Sequence, residues 1–160
     1  MPQLLNAVLP PQLQRDYTLH FITFCTKFRQ FLPDWARDIV LGCCLHDHEH
    51  RYRLRVAVVM PDHVHLILMP LIDESRRAIV SLVEIMQMMK GASARAINRK
   101  NGKHGAIWQE ESFDRIIRSS ENLDAKIAYI LENPARSGLV NDWREYKWIW
   151  QAREENPFKP

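Results

Sequence analysis

Two histidines stand two positions apart in a stretch that has the pattern of a β-strand. His63 and His65 follow the turn signal Pro61-Asp62, and the stretch ends at Pro70. Because side chains alternate across a strand, both imidazoles are expected on one face, opposite the apolar residues between them. Two imidazoles side by side can hold one divalent metal ion. Two core histidines that bond to the backbone would give the same pattern, so the spacing alone leaves both interpretations open.

A tyrosine and an asparagine stand one helical turn apart further along the chain. Tyr129 and Asn133 are expected on one face of a helix. The apolar residues of this helix form a separate stripe: Leu123, Ile127, Ile130 and Leu131. Ser119-Ser120-Glu121 can supply its N-cap, and Pro134 ends it because the residue before a proline disfavours the α conformation. The helix therefore presents a phenol and an amide together.

The combination of these two segments resembles a known family. A strand with His-hydrophobe-His, followed downstream by a helix with one tyrosine, is similar to the HUH single-strand endonucleases. Three phrases resemble the IS200-like single-tyrosine transposases, in particular their REP-associated branch: residues 60–65, 107–109 and 129–134. The resemblance covers roughly residues 17–140, and the spaced combination is more specific than either segment.

The resemblance implies a site and a reaction. His63 and His65 would be two metal ligands, and Asn133 the third, where relatives often carry glutamine; the neighbouring Glu132 is the alternative ligand. Mixed nitrogen and oxygen ligands with a phosphate substrate suggest Mg²⁺ or Mn²⁺. Tyr129 would attack a DNA phosphorus and form a 5′-phosphotyrosine linkage with a free 3′-OH, which preserves the bond energy for rejoining.

The expected function is therefore metal-dependent cleavage and rejoining of single-stranded DNA near REP-like hairpins, the activity of a DNA transposase. The alternative is a domesticated protein that binds DNA hairpins without cutting them. A histidine-triad hydrolase would need a third alternating histidine, and this chain has Ile67 there. Relaxases place their tyrosines before the His-x-His strand, whereas here the helical tyrosine follows it.

Basic residues form two groups that could contact DNA phosphates. Arg53 and Arg55 alternate on one face of a strand predicted over Tyr52 to Met60. A solvated face and a phosphate track explain this pair equally well. The second group lies on a helix predicted after an N-cap at Asp73-Glu74-Ser75, and in the resembled family this region approaches DNA. Its members are Lys90, Arg95, Arg99 and Lys100.

Length and composition fit a single domain with a mild positive charge. The chain has 160 residues, 46% of them hydrophobic, and a formal net charge of +3, which permits nucleic-acid binding without requiring it. Three cysteines without a C-x-x-C motif suggest a reducing, cytoplasmic location. The sequence has neither an apolar run of membrane-spanning length nor a signal-peptide pattern.

The order of predicted elements is β-α-β-β-α-β-α, which predicts an α+β fold. We expect a ferredoxin-like split β-α-β sandwich, in which an antiparallel sheet carries helices on one face. The first helix is predicted from Pro33 to about His46, with Trp35, Ile39 and Cys43 on its apolar stripe. Residues 1–16 are predicted to be an N-terminal arm, 17–140 the transposase-like domain, and 141–160 a tail. The tail favours a monomer over a homodimer that exchanges tyrosine helices.

Overall fold

The fold is centred on one five-stranded antiparallel sheet. In this computed structural model, which describes residues 18–118 and 121–153, the strand order is β6-β1-β3-β2-β7. The strands are β1 (Leu19–Cys25), β2 (Tyr52–Val59), β3 (His63–Pro70), β6 (Phe113–Ile117) and β7 (Ile149–Gln151). Two short strands, β4 (Ile72–Asp73) and β5 (Ala78–Ile79), form a separate hairpin. The antiparallel α+β class is thus confirmed.

Four helices accompany the described strands. They are α1 (Asp34–His46), α2 (Leu82–Asn101), α3 (Leu123–Leu131) and α4 (Asn133–Arg136). Two 3-10 turns lie at Lys27–Arg29 and Trp143–Glu145. No helix of the described part of the chain is long and apolar enough to cross a membrane.

The first face of the sheet packs against α1 and α2. Tyr52 of β2 donates its hydroxyl to the Cys44 carbonyl of α1 at 2.8 Å. The Phe24 ring of β1 meets the Trp108 ring edge-on at 4.8 Å, and Trp108 donates its indole N–H to the Ser93 hydroxyl of α2. This face holds the larger part of the core, because α1 and α2 both bury apolar side chains against it.

The second face of the sheet carries the two histidines and is partly covered by α3. Val64 and Leu66 lie on the first face and Ile67 on the second, yet all three are 0% exposed. A strand buried on both sides needs apolar cover on both sides. The stripe of α3 supplies it through Ile127, Ile130 and Leu131, which are all buried. The helices therefore divide between the two faces, whereas the sequence suggested one face for all of them.

Two predicted helix details differ from the structure. The buried stripe of α1 is Ala36, Val40 and Cys44, one position on from the predicted Trp35, Ile39 and Cys43, which are half-buried. The expected N-cap around Asp73 is wrong, because α2 begins after Ser81, whose hydroxyl accepts from the Glu84 N–H. The Asp73 carboxylate instead accepts N–H groups within the β4–β5 hairpin.

The helix that carries the tyrosine is capped by Asn122, whose side chain accepts from the Ala125 N–H at 3.0 Å. Ser119 and Ser120 of the predicted cap lie outside the described residues, as does the predicted arm over 1–16.

The first part of the predicted tail packs onto the sheet. β7 pairs with β2, and Tyr146 donates its hydroxyl to the Val59 carbonyl at 2.7 Å. Trp148 donates its indole N–H to the Asp38 carboxylate of α1 at 2.9 Å. The aromatic side chains Tyr146 and Trp148 thus help to close the core.

Candidate functional site

The two histidines of β3 lie side by side on the second face of the sheet. Their ring centroids are 4.7 Å apart, and the ring planes are inclined by 77°. Each ring is oriented through its Nδ1 atom. His63 Nδ1 lies 2.7 Å from Asp62 Oδ1, and His65 Nδ1 lies 2.8 Å from Thr23 Oγ1. Each ring is thus oriented by a polar partner at Nδ1, an arrangement typical of histidines that bind a metal through Nε2.

Antiparallel register positions these partners. Thr23 of β1 lies directly opposite His65, and Asp62 precedes His63 at the β2–β3 turn. Asp62 is held in turn by Arg29, whose Nε donates to Asp62 Oδ2 at 2.9 Å. Burial would raise the pKa of Asp62, but the hydrogen bond to His63 and the charge of Arg29 outweigh burial and lower it. Asp62 is thus an anion that orients His63.

His65 is neutral at physiological pH. Burial, the largest cause, and the positive charges of His63, Arg136 and Arg29 together lower its pKa to about 4. A histidine binds a metal ion through its neutral imidazole. The electrostatics of this position therefore fit a metal ligand.

Asn133 lies next to the histidine pair. Its Nδ2 is 3.5 Å from His63 Nε2, and its Oδ1 is 3.5 Å from the Ser137 hydroxyl. Rotation of the amide about its last torsion would bring Oδ1 towards the histidines. Within residues 18–118 and 121–153, no three His, Cys, Asp or Glu side chains group closely enough to hold a metal. An amide oxygen from Asn133, with two imidazoles, therefore fits a divalent ion better than the exposed Glu132 does.

Tyr129 lies on α3 and is 63% exposed, whereas Asn133 begins the separate helix α4 and not the last turn of the same helix, as predicted. The Arg136 guanidinium covers its ring at 4.0 Å and donates an N–H to the Tyr129 carbonyl at 2.8 Å. A cation held over an aromatic ring restricts the orientation of that ring. Arg136 thus fixes a side chain that solvent and substrate can reach.

An open groove runs beside Tyr129. It has a volume of about 600 Å³ and lies between the sheet and α3. Its lining residues are Phe21, Arg115, Glu121, Asn122, Ala125, Lys126 and Tyr129. The Phe21 ring lies 5.8 Å from the His65 ring, so the groove borders the histidine pair.

The cations predicted to contact DNA lie apart from this site. Lys90 Nζ donates to the Gln109 and Glu110 carbonyls and the Ser112 hydroxyl, and Lys100 lies over the Trp35 ring. Both belong to α2, as do Arg95 and Arg99, and α2 packs on the first face of the sheet. Lys90 thus closes a loop through these contacts, and its contact with DNA stays a prediction.

The remaining two cations lie on β2. Arg53 pairs with Glu49, and it lies opposite Met69, at the far end of β3 from His63. Arg55 is half-buried at the irregularity in β2. The structure therefore brings His63, His65, Asn133 and Tyr129 together on one side, without the six predicted DNA contacts.

Four residues around the site escaped the sequence interpretation: Thr23, Arg29, Asp62 and Arg136. Asp62 directly precedes His63, and Arg136 follows Asn133 by three residues, so their positions in the sequence could have indicated a role at the site. Thr23 and Arg29 lie 42 and 33 residues before their partners His65 and Asp62, and their roles depend on tertiary contacts that no local pattern reveals.

A ferredoxin-like sheet with paired histidines on one strand, and a tyrosine on the helix facing them, is the arrangement expected of the single-tyrosine HUH class. The sequence model of the family described as "Transposase IS200 like" matches residues 14–133. This chain therefore belongs to the IS200-like transposase family.

Two individual proteins are similar to this chain. A Haemophilus influenzae protein named "Putative REP-associated tyrosine transposase" is 27% identical over 143 residues, which cover 81% of each chain. A solved structure described as a REP-associated tyrosine transposase bound to a REP hairpin has a TM-score of 0.68 at 18% identity. The match covers 84% of this chain and 76% of that one, and it supports the fold.

Proposed function

We propose that this protein cleaves and rejoins single-stranded DNA beside hairpins through a covalent tyrosine intermediate, in the manner of REP-associated transposases. One observation carries the proposal: Asn133, which begins α4 four residues after Tyr129 of α3, has its Nδ2 3.5 Å from His63 Nε2. The name of the H. influenzae relative and the hairpin in the solved structure suggest REP-like hairpin DNA as the substrate class.

The proposed metal site consists of residues that would hold the ion and residues that orient them. Asp62 and Thr23 orient the imidazoles, and His63, His65 and Asn133 would hold the ion, with Mg²⁺ or Mn²⁺ the expected metal. A divalent ion held there would polarise the scissile phosphate and offset its negative charge. The neutral state of His65 keeps its ring available for this role.

The Tyr129 hydroxyl is the nucleophile of the proposed reaction. Its oxygen forms a bond to phosphorus while the bond from phosphorus to the 3′ oxygen breaks. The downstream DNA is left on the tyrosine through its 5′ phosphate, and the upstream strand ends in a 3′-OH. The proton lost by the phenol and the proton gained by the 3′ oxygen exchange with solvent, which reaches the exposed side chain. Attack by a 3′-OH reverses the step and rejoins the strand.

Tyr129→Phe tests the proposal, because it removes one oxygen from an exposed side chain and leaves packing unchanged. We expect hairpin DNA binding to persist, and cleavage in Mn²⁺ to disappear together with the covalent adduct. Mass spectrometry of digested wild-type protein should locate the 5′-phosphonucleotide on residue 129. His63→Ala should also abolish cleavage while it leaves most of the affinity, since phosphate contacts elsewhere dominate binding.

Two results would contradict the proposal in different ways. Cleavage by Tyr129→Phe without an adduct would favour a metal-dependent hydrolase. Hairpin binding by the wild type without any cleavage in Mg²⁺ or Mn²⁺ would favour a domesticated binding protein. Tyr52→Phe and Tyr146→Phe are matched controls, because both hydroxyls are buried in the fold.

A further inference from the structure

The loop after β1 exposes two large aromatic side chains to solvent. Phe28 is 87% exposed and Phe31 is 78% exposed, the highest values for large apolar side chains among the described residues. Phenylalanine gains free energy when it is buried and loses this gain on the surface. Two such residues within four positions therefore call for a partner that covers them.

The backbone of this loop is strained at the same place. Phe28 has φ 56° and ψ 20°, and Arg29 has φ 53°, so both occupy the left-handed region. Asparagine and glycine adopt this conformation more readily than phenylalanine does. Hydrogen bonds from Thr26 to Gln30 and from Leu32 to the Pro61 carbonyl hold the loop in this form. The backbone of Phe28 is strained although its side chain is not buried, and strained backbone of this kind is typical of functional positions.

The loop is connected directly to the candidate active site. Arg29 donates to Asp62, and Asp62 bonds to the His63 ring. Arg29 also donates to Cys25 Sγ, and Cys25 lies opposite His63 in the sheet. Phe28 is therefore the sequence neighbour of a residue that is joined to His63, a proposed metal ligand, through Asp62.

We propose that Phe28, with Phe31 beside it in the loop, forms a stacking platform for an unpaired base next to the scissile phosphate. This inference rests on the proposed function, because it assigns a binding site to the same DNA strand. Exposed aromatic rings bind single strands by stacking on base faces, which are already covered in a duplex. The Lys27 ammonium lies 5.3 Å from the Phe28 ring centroid and is placed to meet the phosphate of the stacked nucleotide.

Three substitutions at one position separate stacking from hydrophobicity and from folding. Phe28→Leu keeps an apolar side chain but removes the aromatic face, and we expect affinity for a hairpin with a single-stranded flank to fall about tenfold. Phe28→Trp should retain the affinity. Phe28→Asn should lose it while the melting temperature stays level or rises, since asparagine tolerates the left-handed backbone. Val83→Ala is the control, because Val83 is 66% exposed on α2, away from the site.

The stacked base can be located with 2-aminopurine, a base whose fluorescence is quenched when it stacks. It is placed in turn at each position around the cleavage site, and affinity is measured by fluorescence anisotropy. Wild type and Phe28→Trp should quench it at one or two adjacent positions, and Phe28→Leu should not. Equal affinity and equal quenching in Phe28→Leu would overturn the proposal. A difference in molecular mass between the wild type and Phe28→Leu, measured by light scattering, would also overturn the proposal. It would show that the loop contacts a second copy of the chain.

The covalent adduct on Tyr129 is measured in the same samples. Adduct formation by the wild type, with no effect of Phe28→Leu on affinity or quenching, rejects the stacking platform alone. Strand binding by the wild type without an adduct rejects the proposed cleavage, and the Phe28 series then still decides the stacking.

Discussion

His65 is half-buried and lies beside a second imidazole, that of His63. Burial, with smaller effects from the charges of His63, Arg136 and Arg29, lowers its pKa to about 4. The result is a neutral ring whose Nε2 is free over the physiological pH range. The same burial makes the folded state sensitive to acid, because the unfolded chain releases this histidine to an ordinary pKa near 6.5.

We predict that His65 makes the metal-free protein less stable as the pH falls from about 6.5 to about 4. In this window the unfolded state binds more protons than the folded state, so the free energy of unfolding decreases, by at most about 1.4 kcal/mol per pH unit. Urea denaturation with a chelator, at several pH values, measures the slope. His65→Gln cannot titrate and should lose this part of the slope. Parallel curves for the two proteins would contradict the assignment.

The sequence predicted the orientation of the two histidines but not the residues that contact them. Strand alternation predicted that His63 and His65 share a face, and the structure confirms it. The position of Thr23 opposite His65 depends on the register between β1 and β3, and a slip of one residue would turn Thr23 to the other face. Register is fixed by tertiary packing, so this contact lay beyond local patterns.

At the scale of elements, α3 also shows which features local sequence patterns predict and which depend on tertiary packing. Its apolar stripe was predictable from a period of 3.6 residues, and Ile127, Ile130 and Leu131 are indeed buried. Periodicity says which residues are covered, but not which layer covers them. The buried Ile67 on the histidine face shows why α3 lies there, because that side of β3 also needs apolar cover.

The segment from Trp143 to Gln151 acts as a further element of the core. Trp148 is 8% exposed, its indole N–H donates to Asp38, and the Arg37 guanidinium lies 3.7 Å over its ring. The segment ends in β7, which pairs with β2. Residues of the predicted tail thus pack against the core and pair with β2, the strand next to β3.

We predict that Trp148→Ala lowers the free energy of unfolding by about 3 kcal/mol, as is usual when a buried aromatic side chain is removed. Trp143→Ala should have a smaller effect, because Trp143 is only half-buried and its ring lies under the Arg144 side chain. Urea denaturation of both variants gives the comparison. Equal losses would show that the segment contributes as a whole, without a dominant anchor at Trp148.

For the whole molecule, charge is distributed unevenly between the two sides of the sheet. The net charge is only +3, and many arginines are paired with acids, as in Arg51–Glu84 and Arg115–Glu121. The groove residue Lys126 is also paired, with its Nζ 2.8 Å from Glu121, whereas the basic end of α2 belongs to the other side of the sheet. The positive charge that lines the groove is therefore partly offset by Glu121.

A single copy of the chain can bring the site residues together, since Asn133 Nδ2 lies 3.5 Å from His63 Nε2 of the same chain. We therefore predict a monomer with a mass near 18.9 kDa by light scattering. A mixture of His63→Ala and Tyr129→Phe should remain unable to cleave hairpin DNA, since each variant lacks one half of its own site. If two copies exchanged their tyrosine helices, the mixture would assemble intact sites and recover part of the activity. A mixture of wild type and Tyr129→Phe, in excess DNA, is the control for interference between copies. Recovery of cleavage in the mixture of His63→Ala and Tyr129→Phe, without a change in this control, would establish the exchanged dimer.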